Sequence, residues 1–226
     1  MKNAMRHQKY AILAITVFAC FCMALVDAVI QPGYWIKSAV KMTLFLLLPI
    51  GYSRFVGKCD LKKLFCPDQK GILAALSMGI AVFAVILGAF FALRNWVDFS
   101  ALTVSLSETA GVNAENFLFV SSYIALVNSL LEEFFFRGFA FLTLRRFASR
   151  SLSYTASAAL FALYHVAMMI GWFPLPVTLL AILGLFCGGI LFNYFNERHG
   201  HLYFSWLIHM FANFAINAVG FILFHG

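Results

Sequence analysis

Apolar and polar positions alternate on a long scale in this chain: extended apolar runs are separated by short polar stretches. A helix that crosses a bilayer needs about 20 mostly apolar residues. Seven stretches meet that requirement, at 10–30, 38–56, 71–93, 116–136, 153–172, 174–194 and 202–224. Between the fourth and fifth, residues 139–151 mix apolar side chains with Arg145, Arg146 and Arg150. That mixture predicts a short helix lying at the membrane interface, not an eighth span. The fold class is therefore all-α: a polytopic helical membrane protein with about seven transmembrane helices plus a short interfacial helix. With no repeat, low-complexity tract or linker, residues 1–226 are expected to form a single integral membrane domain.

Composition agrees. Hydrophobic residues make up 63% of the 226 and charged residues 11%, against roughly 25% charged in soluble domains. A soluble enzyme, a disordered chain, a disulfide-rich secreted scaffold and a nucleic-acid-binding domain are all excluded. The net charge of +7 is first a signal of sidedness, because cytoplasmic loops hold the excess of lysine and arginine. Lys2, Arg6 and Lys9 precede span one, and Arg54, Lys58, Lys62, Lys63 and Lys70 follow span two. Arg145, Arg146 and Arg150 follow span four, and Arg198 follows span six. All four groups fall on one side. The alternate loops carry Lys37, Arg94, Asp98, Glu108 and Glu115 with the interfacial anchors Trp35, Trp96 and Trp172. The N-terminus is thus expected in the cytoplasm and the C-terminus outside, in an integral membrane protein of a bacterial cell membrane. Span one has a basic prelude but no convincing small-x-small cleavage site, so it is expected to stay as an anchor and not act as a signal peptide.

Several features have structural readings. Cys20, Cys22 and Cys187 are small hydrophobes in apolar runs, and Cys59 and Cys66 match no zinc or redox spacing, so no disulfide is expected. Gly184 and Gly188, four apart with Gly189 beside them, predict close approach of a neighbouring helix. Pro174 and Pro176 mark the start of span six. Asp27, near the outer end of span one, is expected to be solvated.

Other polar residues lie deeper, where an ionisable group costs a few kcal/mol or more and so needs a partner or a function. They are Glu132 and Glu133 in span four, His165 in span five, and His209 with Asn213 in span seven. Successive helical residues differ by about 100°, whereas residues four apart share a face. Glu133 therefore looks toward Arg137 and is neutralised locally. Glu132 points elsewhere, with Asn128 one turn earlier on its face, and needs a partner from another helix; His165 and the His209/Asn213 pair are the candidates. In span seven, His201, Ser205, His209, Asn213 and Asn217 form a polar stripe that must face protein or water. Phe161, one turn before His165, is placed to pack on its imidazole. At about 1.5 Å per residue from the cytoplasmic ends, Glu132, His209, Asn213 and His165 all fall roughly 6 to 20 Å deep, so one shared site is feasible.

A carboxylate beside an imidazole in a poorly solvated pocket can hold and deprotonate a water. An imidazole and a carboxamide one turn apart can donate to the oxyanion of a tetrahedral intermediate. Water-mediated peptide hydrolysis is the natural reaction class. The alternative is a divalent metal such as zinc held by Glu132, His165 and His209.

Three ordered motifs sharpen this reading. Glu132-Glu133-Phe134-Phe135-Phe136-Arg137-Gly138 resembles EExxxRG, Phe161-Ala162-Leu163-Tyr164-His165 resembles FxxxH, and His209-Met210-Phe211-Ala212-Asn213 resembles HxxxN. Together they resemble the CPBP family of intramembrane proteases (CAAX proteases and bacteriocin-processing enzymes, also called Abi). The resemblance makes 116–224 the catalytic core and leaves 1–115 as N-terminal transmembrane helices without motifs. It implies that Glu132 activates water, His165 assists, and His209 with Asn213 stabilises the oxyanion, while Glu133 and Arg137 are structural. It also implies a glutamate-dependent endopeptidase of the CAAX prenyl protease type, without cofactor, although the family has also been described as metal-dependent. The expected partners are membrane lipid and a hydrophobic or lipid-modified peptide, CAAX-like or bacteriocin-related, with no nucleic acid. The roles it implies are maturation, immunity or membrane-protein regulation. A non-proteolytic immunity or scaffold protein is the competing reading.

Overall fold

The computed structural model describes residues 2–57, 61–66, 71–104, 113 and 115–225. Lys58, Cys59, Lys70 and Glu108 lie outside the described residues. Seven long helices run through the rest: α1 Met5–Ile30, α2 Tyr34–Gly57, α3 Ile72–Leu93, α4 Phe117–Arg146, α5 Arg150–Met168, α6 Leu175–His199 and α7 Tyr203–His225. No strand occurs among the described residues. Six of the seven, all but α5, are long and apolar enough to cross a membrane. Leu73, Val85, Leu118, Phe119 and Leu175 are largely exposed, as expected where the solvent is hydrocarbon. The chain is a polytopic all-α membrane protein.

α4 is the central element. Every residue from Leu131 to Phe141 is buried, and at about 100° per residue such a run is possible only for a helix enclosed on all sides. Phe135 stacks on Phe45 of α2, with ring centroids 4.0 Å apart and planes 5° from parallel. Phe136 meets Phe45, Phe161 and Tyr164 edge-on or tilted. Ile12, Ala19 and Met23 of α1 complete this core. On the other side α3 packs along α7, and α7 along α4.

The separate interfacial helix expected over 139–151 does not form. α4 continues to Arg146, with Phe139, Phe141 and Leu144 fully buried, because Phe139 and Leu144 join the core built with α1 and α2 and Phe141 packs on Tyr154 of α5. A new helix starts only after Ser149, whose hydroxyl caps α5 by accepting from the Leu152 N–H at 3.3 Å. Glu197 near the end of α6 then ties the junction together. It pairs with Arg145 at 3.1 Å and Arg150 at 2.8 Å, and accepts from the Tyr154 hydroxyl at 2.8 Å.

Two smaller expectations are also corrected. Asp27 is buried, not solvated, and pairs with Lys37 across the α1–α2 turn at 2.7 Å. Gly184 and Gly188 face open space; Gly189 is the residue that touches α5, where an added Cβ would stand 3.0 Å from both Cα and Cβ of Ala158. Gly189→Val is therefore expected to destabilise the fold by about 1–3 kcal/mol through overpacking. Gly188→Ala should be neutral or slightly stabilising. Thermal unfolding of both variants in detergent checks the contrast.

Candidate active site

The site forms where α2, α4, α5 and α7 meet, and its floor is set by local helix geometry. α4 makes wider, i→i+5 bonded turns at Ile124–Asn128 and Phe134–Thr143, on either side of the regular turn Ser129–Glu133. Such turns recur at functional sites. Backbone carbonyls at and beside the first wide turn accept side-chain donors from α7: Asn217 on Ser121 at 2.8 Å, Asn213 on Ile124 at 3.4 Å, and Trp206 on Leu126 at 3.2 Å. The polar stripe on α7 faces protein and zips that helix onto α4.

Glu132 and Glu133 leave the regular turn in different directions. Glu133 and Arg137 are both fully buried, with Arg137 Nη1 3.5 Å from Glu133 Oε1. The Arg137 guanidinium lies between two rings, 4.0 Å from the Phe161 centroid and 4.9 Å from that of Phe192. The ion pair expected from the four-residue spacing is present. Glu133 does more than pair with Arg137, however: its Oε1 is 2.9 Å from Nδ1 of His209. A carboxylate paired with arginine only accepts, so the imidazole donates from Nδ1 and turns Nε2 toward Glu132.

His165 is set the same way by a different acceptor. Its Nδ1 donates to the Phe161 carbonyl at 2.7 Å, and the Phe161 ring packs edge-on against the imidazole at 4.7 Å. Its Nε2 therefore also faces Glu132. Glu132 Oε2 stands 3.7 Å from Nε2 of His165 and 3.7 Å from Nε2 of His209. With both Nδ1 atoms protonated, three lone-pair atoms point at one another with no hydrogen between them. That arrangement calls for a bridging donor, and at 3.7 Å a water that donates to two of them fits.

Glu132, His165 and His209 are thus brought together. Asn213 is on the same face of α7 one turn further along, with its amide on the Ile124 carbonyl. Asn128, noted as the same-face neighbour of Glu132, donates to Glu132 Oε1 at 3.0 Å.

The sequence reading missed Lys41. The countercharge of Glu132 comes from α2 and not from the histidines: Lys41 Nζ lies 2.5 Å from Glu132 Oε1 and donates to Asn128 Oδ1 at 2.7 Å. A signal was present, because Lys41 is the only charged residue between Ser38 and Tyr52, and the desolvation argument applied to Glu132 applies equally to a lysine in span two.

Gly138, the last residue of the first motif, is also explained. Leu64, on the single helical turn Lys62–Phe65, lies over it, and an added Cβ would be 2.8 Å from Leu64 Cδ1. Among the described residues no three His, Cys, Asp or Glu side chains are grouped as metal ligands.

Residues 114–215 match a family model described as Rce1-like type II CAAX prenyl endopeptidase. This segment is a domain of the CPBP family. The matched segment is similar, at family level, to CAAX-type prenyl endopeptidases. Among curated proteins and among solved structures nothing matches. The domain includes all three motifs and ends within α7, whereas Lys41 on α2 lies outside it.

Proposed function

We propose that this protein hydrolyses a peptide bond in a hydrophobic or lipid-modified substrate, CAAX-like or bacteriocin-related, that enters from the bilayer, and that it does so by a glutamate-dependent mechanism. One observation carries the reading: Oε2 of Glu132 and Nε2 of both histidines converge at 3.7 Å around a place suited to one water. Glu132 takes a proton from that water as its oxygen attacks the scissile carbonyl, with His165 holding the water in line. The tetrahedral oxyanion accepts from His209 Nε2–H. In that step His209 takes up a proton at Nε2 from bulk water and presents it to the oxyanion, while its Nδ1–H stays on Glu133. Asn213 joins by exchanging its bond to the Ile124 carbonyl for one to the oxyanion. As the C–N bond breaks, the proton held by Glu132 passes to the leaving amine.

Lys41 supports a mechanism without metal, because an ammonium already neutralises Glu132 where a divalent cation would otherwise be needed. The sidedness of the basic loops supports a cytoplasmic N-terminus and a site in the cytoplasmic half of the bilayer.

The test is cleavage by purified protein in liposomes of a peptide series with free or prenylated C-terminal cysteine motifs and bacteriocin-leader-like sequences, with products read by mass spectrometry. Cleavage at one bond, at a rate unchanged by a strong chelator, is expected. Failure to cut any member of the series would count against the protease reading. Loss of rate in chelator, restored by zinc, would overturn the metal-free mechanism.

A further inference from the structure

Lys41 is 6% exposed and Glu132 2%, and the two come from helices 91 positions apart in sequence. Burying an ion pair gains little stability over apolar residues of the same volume, because desolvation of the two charges offsets their attraction. A lysine placed here invites a reason other than stability.

The hydrogen-bond pattern supplies one. Lys41 Nζ bonds both Glu132 Oε1 and Asn128 Oδ1, and Asn128 Nδ2 closes the ring by donating to the same Oε1. Oε1 is thereby occupied by two donors, and the carboxylate has one oxygen left. That oxygen, Oε2, is the one equidistant from the two imidazoles. The remaining surroundings of the ammonium are aromatic, with the Tyr164 and Phe45 centroids 5.0 and 5.7 Å away. Two of the three ammonium donors are thus committed to Glu132 Oε1 and Asn128 Oδ1, away from Oε2.

Charge balance adds a second effect. Glu132, Glu133, Lys41 and Arg137 sum to zero while both histidines are neutral. When Glu132 accepts the proton of water, Lys41 remains uncompensated as the oxyanion forms. A fixed charge that becomes unbalanced only along the reaction favours the transition state over the ground state.

We propose that Lys41 is a positioning residue for hydrolysis: it locks Glu132 with one oxygen aimed at the water and supplies the countercharge that is released to the oxyanion. This rests on the reading of Glu132 as the water-activating group. Lys41 acts through Glu132 and Asn128, so its effect belongs in kcat and not in KM.

The experiment compares wild type, Lys41→Met, Lys41→Arg and Glu132→Gln on a peptide that the wild type cleaves, with melting temperature recorded for each. Lys41→Met should lower kcat by about 100-fold or more with KM within about twofold. Lys41→Arg, which keeps the charge, should recover at least about tenfold of that loss. Wild-type kcat in a folded Lys41→Met, beside an inactive Glu132→Gln, overturns the role of Lys41 and leaves the protease reading standing. An active Glu132→Gln overturns the reading on which the proposal rests. Should Lys41→Met fail to accumulate, Lys41→Met/Glu132→Gln removes both charges and is expected to accumulate. Failure of that double variant, with Glu132→Gln alone well expressed, would make Lys41 a packing residue and sink the proposal.

Discussion

Glu132→Gln should lower kcat by about 10²–10⁴-fold, the range expected for loss of a positioned general base, while the protein still folds. The substitution keeps the side-chain shape. A glutamine carbonyl oxygen can still accept from Lys41 and Asn128 at the Oε1 position, and its amide nitrogen then takes the place of Oε2. There it presents hydrogens to the two Nε2 lone pairs of His165 and His209, which face Glu132 at 3.7 Å. The oxygen that would take the proton of water is replaced by a donor with no basic lone pair, so the base is lost. Glu132→Asp is the sharper companion. It keeps the charge but withdraws the carboxylate by about one C–C bond, roughly 1.5 Å, and a displacement of that size is expected to reduce rate by about 100-fold. Steady-state kinetics on the same peptide, with thermal unfolding as control, measures both. Full activity in Glu132→Gln would exclude Glu132 as the base and move that role to His165, whose own replacement would then have to be inactive.

How much of this was legible in the sequence depends on whether a residue's partner was local. The divergence of Glu132 from Glu133, the four-residue spacing of Glu133 and Arg137, and the packing of Phe161 on His165 all follow from 3.6 residues per turn, and the structure contains each. What escaped depended on distant elements. Lys41 meets Glu132 only because α2 packs against α4, and the second partner of Glu133, His209, sits 76 positions away. Residues 139–151 look interfacial by local alternation with arginine, yet Phe139 and Leu144 are buried against α1 and α2 and Phe141 against Tyr154 of α5, which no local pattern shows. α5 has the converse problem. Ser153, Ser157 and Tyr164 make it too polar to rank as a span by composition, but all three are buried, and the Ser157 hydroxyl donates to the Phe136 carbonyl at 2.8 Å. A helix walled by protein can afford polar residues that a lipid-facing one cannot. The glycines on α6 show the same limit: the spacing of Gly184 and Gly188 suggested a contact, but rotation about the helix axis assigned it to Gly189.

The largest effect on stability is expected at Arg137. Arg137→Met removes the cation beside Glu133 and leaves a carboxylate with no exposed surface; breaking a buried pair from one side costs roughly 3–5 kcal/mol. The protein should accumulate poorly or unfold at markedly lower temperature. Lysine should not restore it. The guanidinium is a flat group held between the Phe161 and Phe192 rings at 4.0 and 4.9 Å, and its three nitrogens have no hydrogen-bond acceptor among the described residues. Stacking and charge together hold it, and an ammonium would keep the charge but lose the planar contact with both rings. The decisive comparison is Glu133→Gln/Arg137→Met. With both charges gone, the pocket becomes nearly apolar, and glutamine can still accept from His209 Nδ1 at the position of Glu133 Oε1. Stability should return to within about 1–2 kcal/mol of wild type. Activity should not return with it, because a neutral amide is a weaker acceptor for His209 Nδ1–H than the carboxylate that orients the ring toward Glu132. A stable, inactive double variant is therefore the expected outcome, read by thermal unfolding and peptide cleavage on one sample. A stable and fully active one would show that the Glu133 charge serves the fold alone.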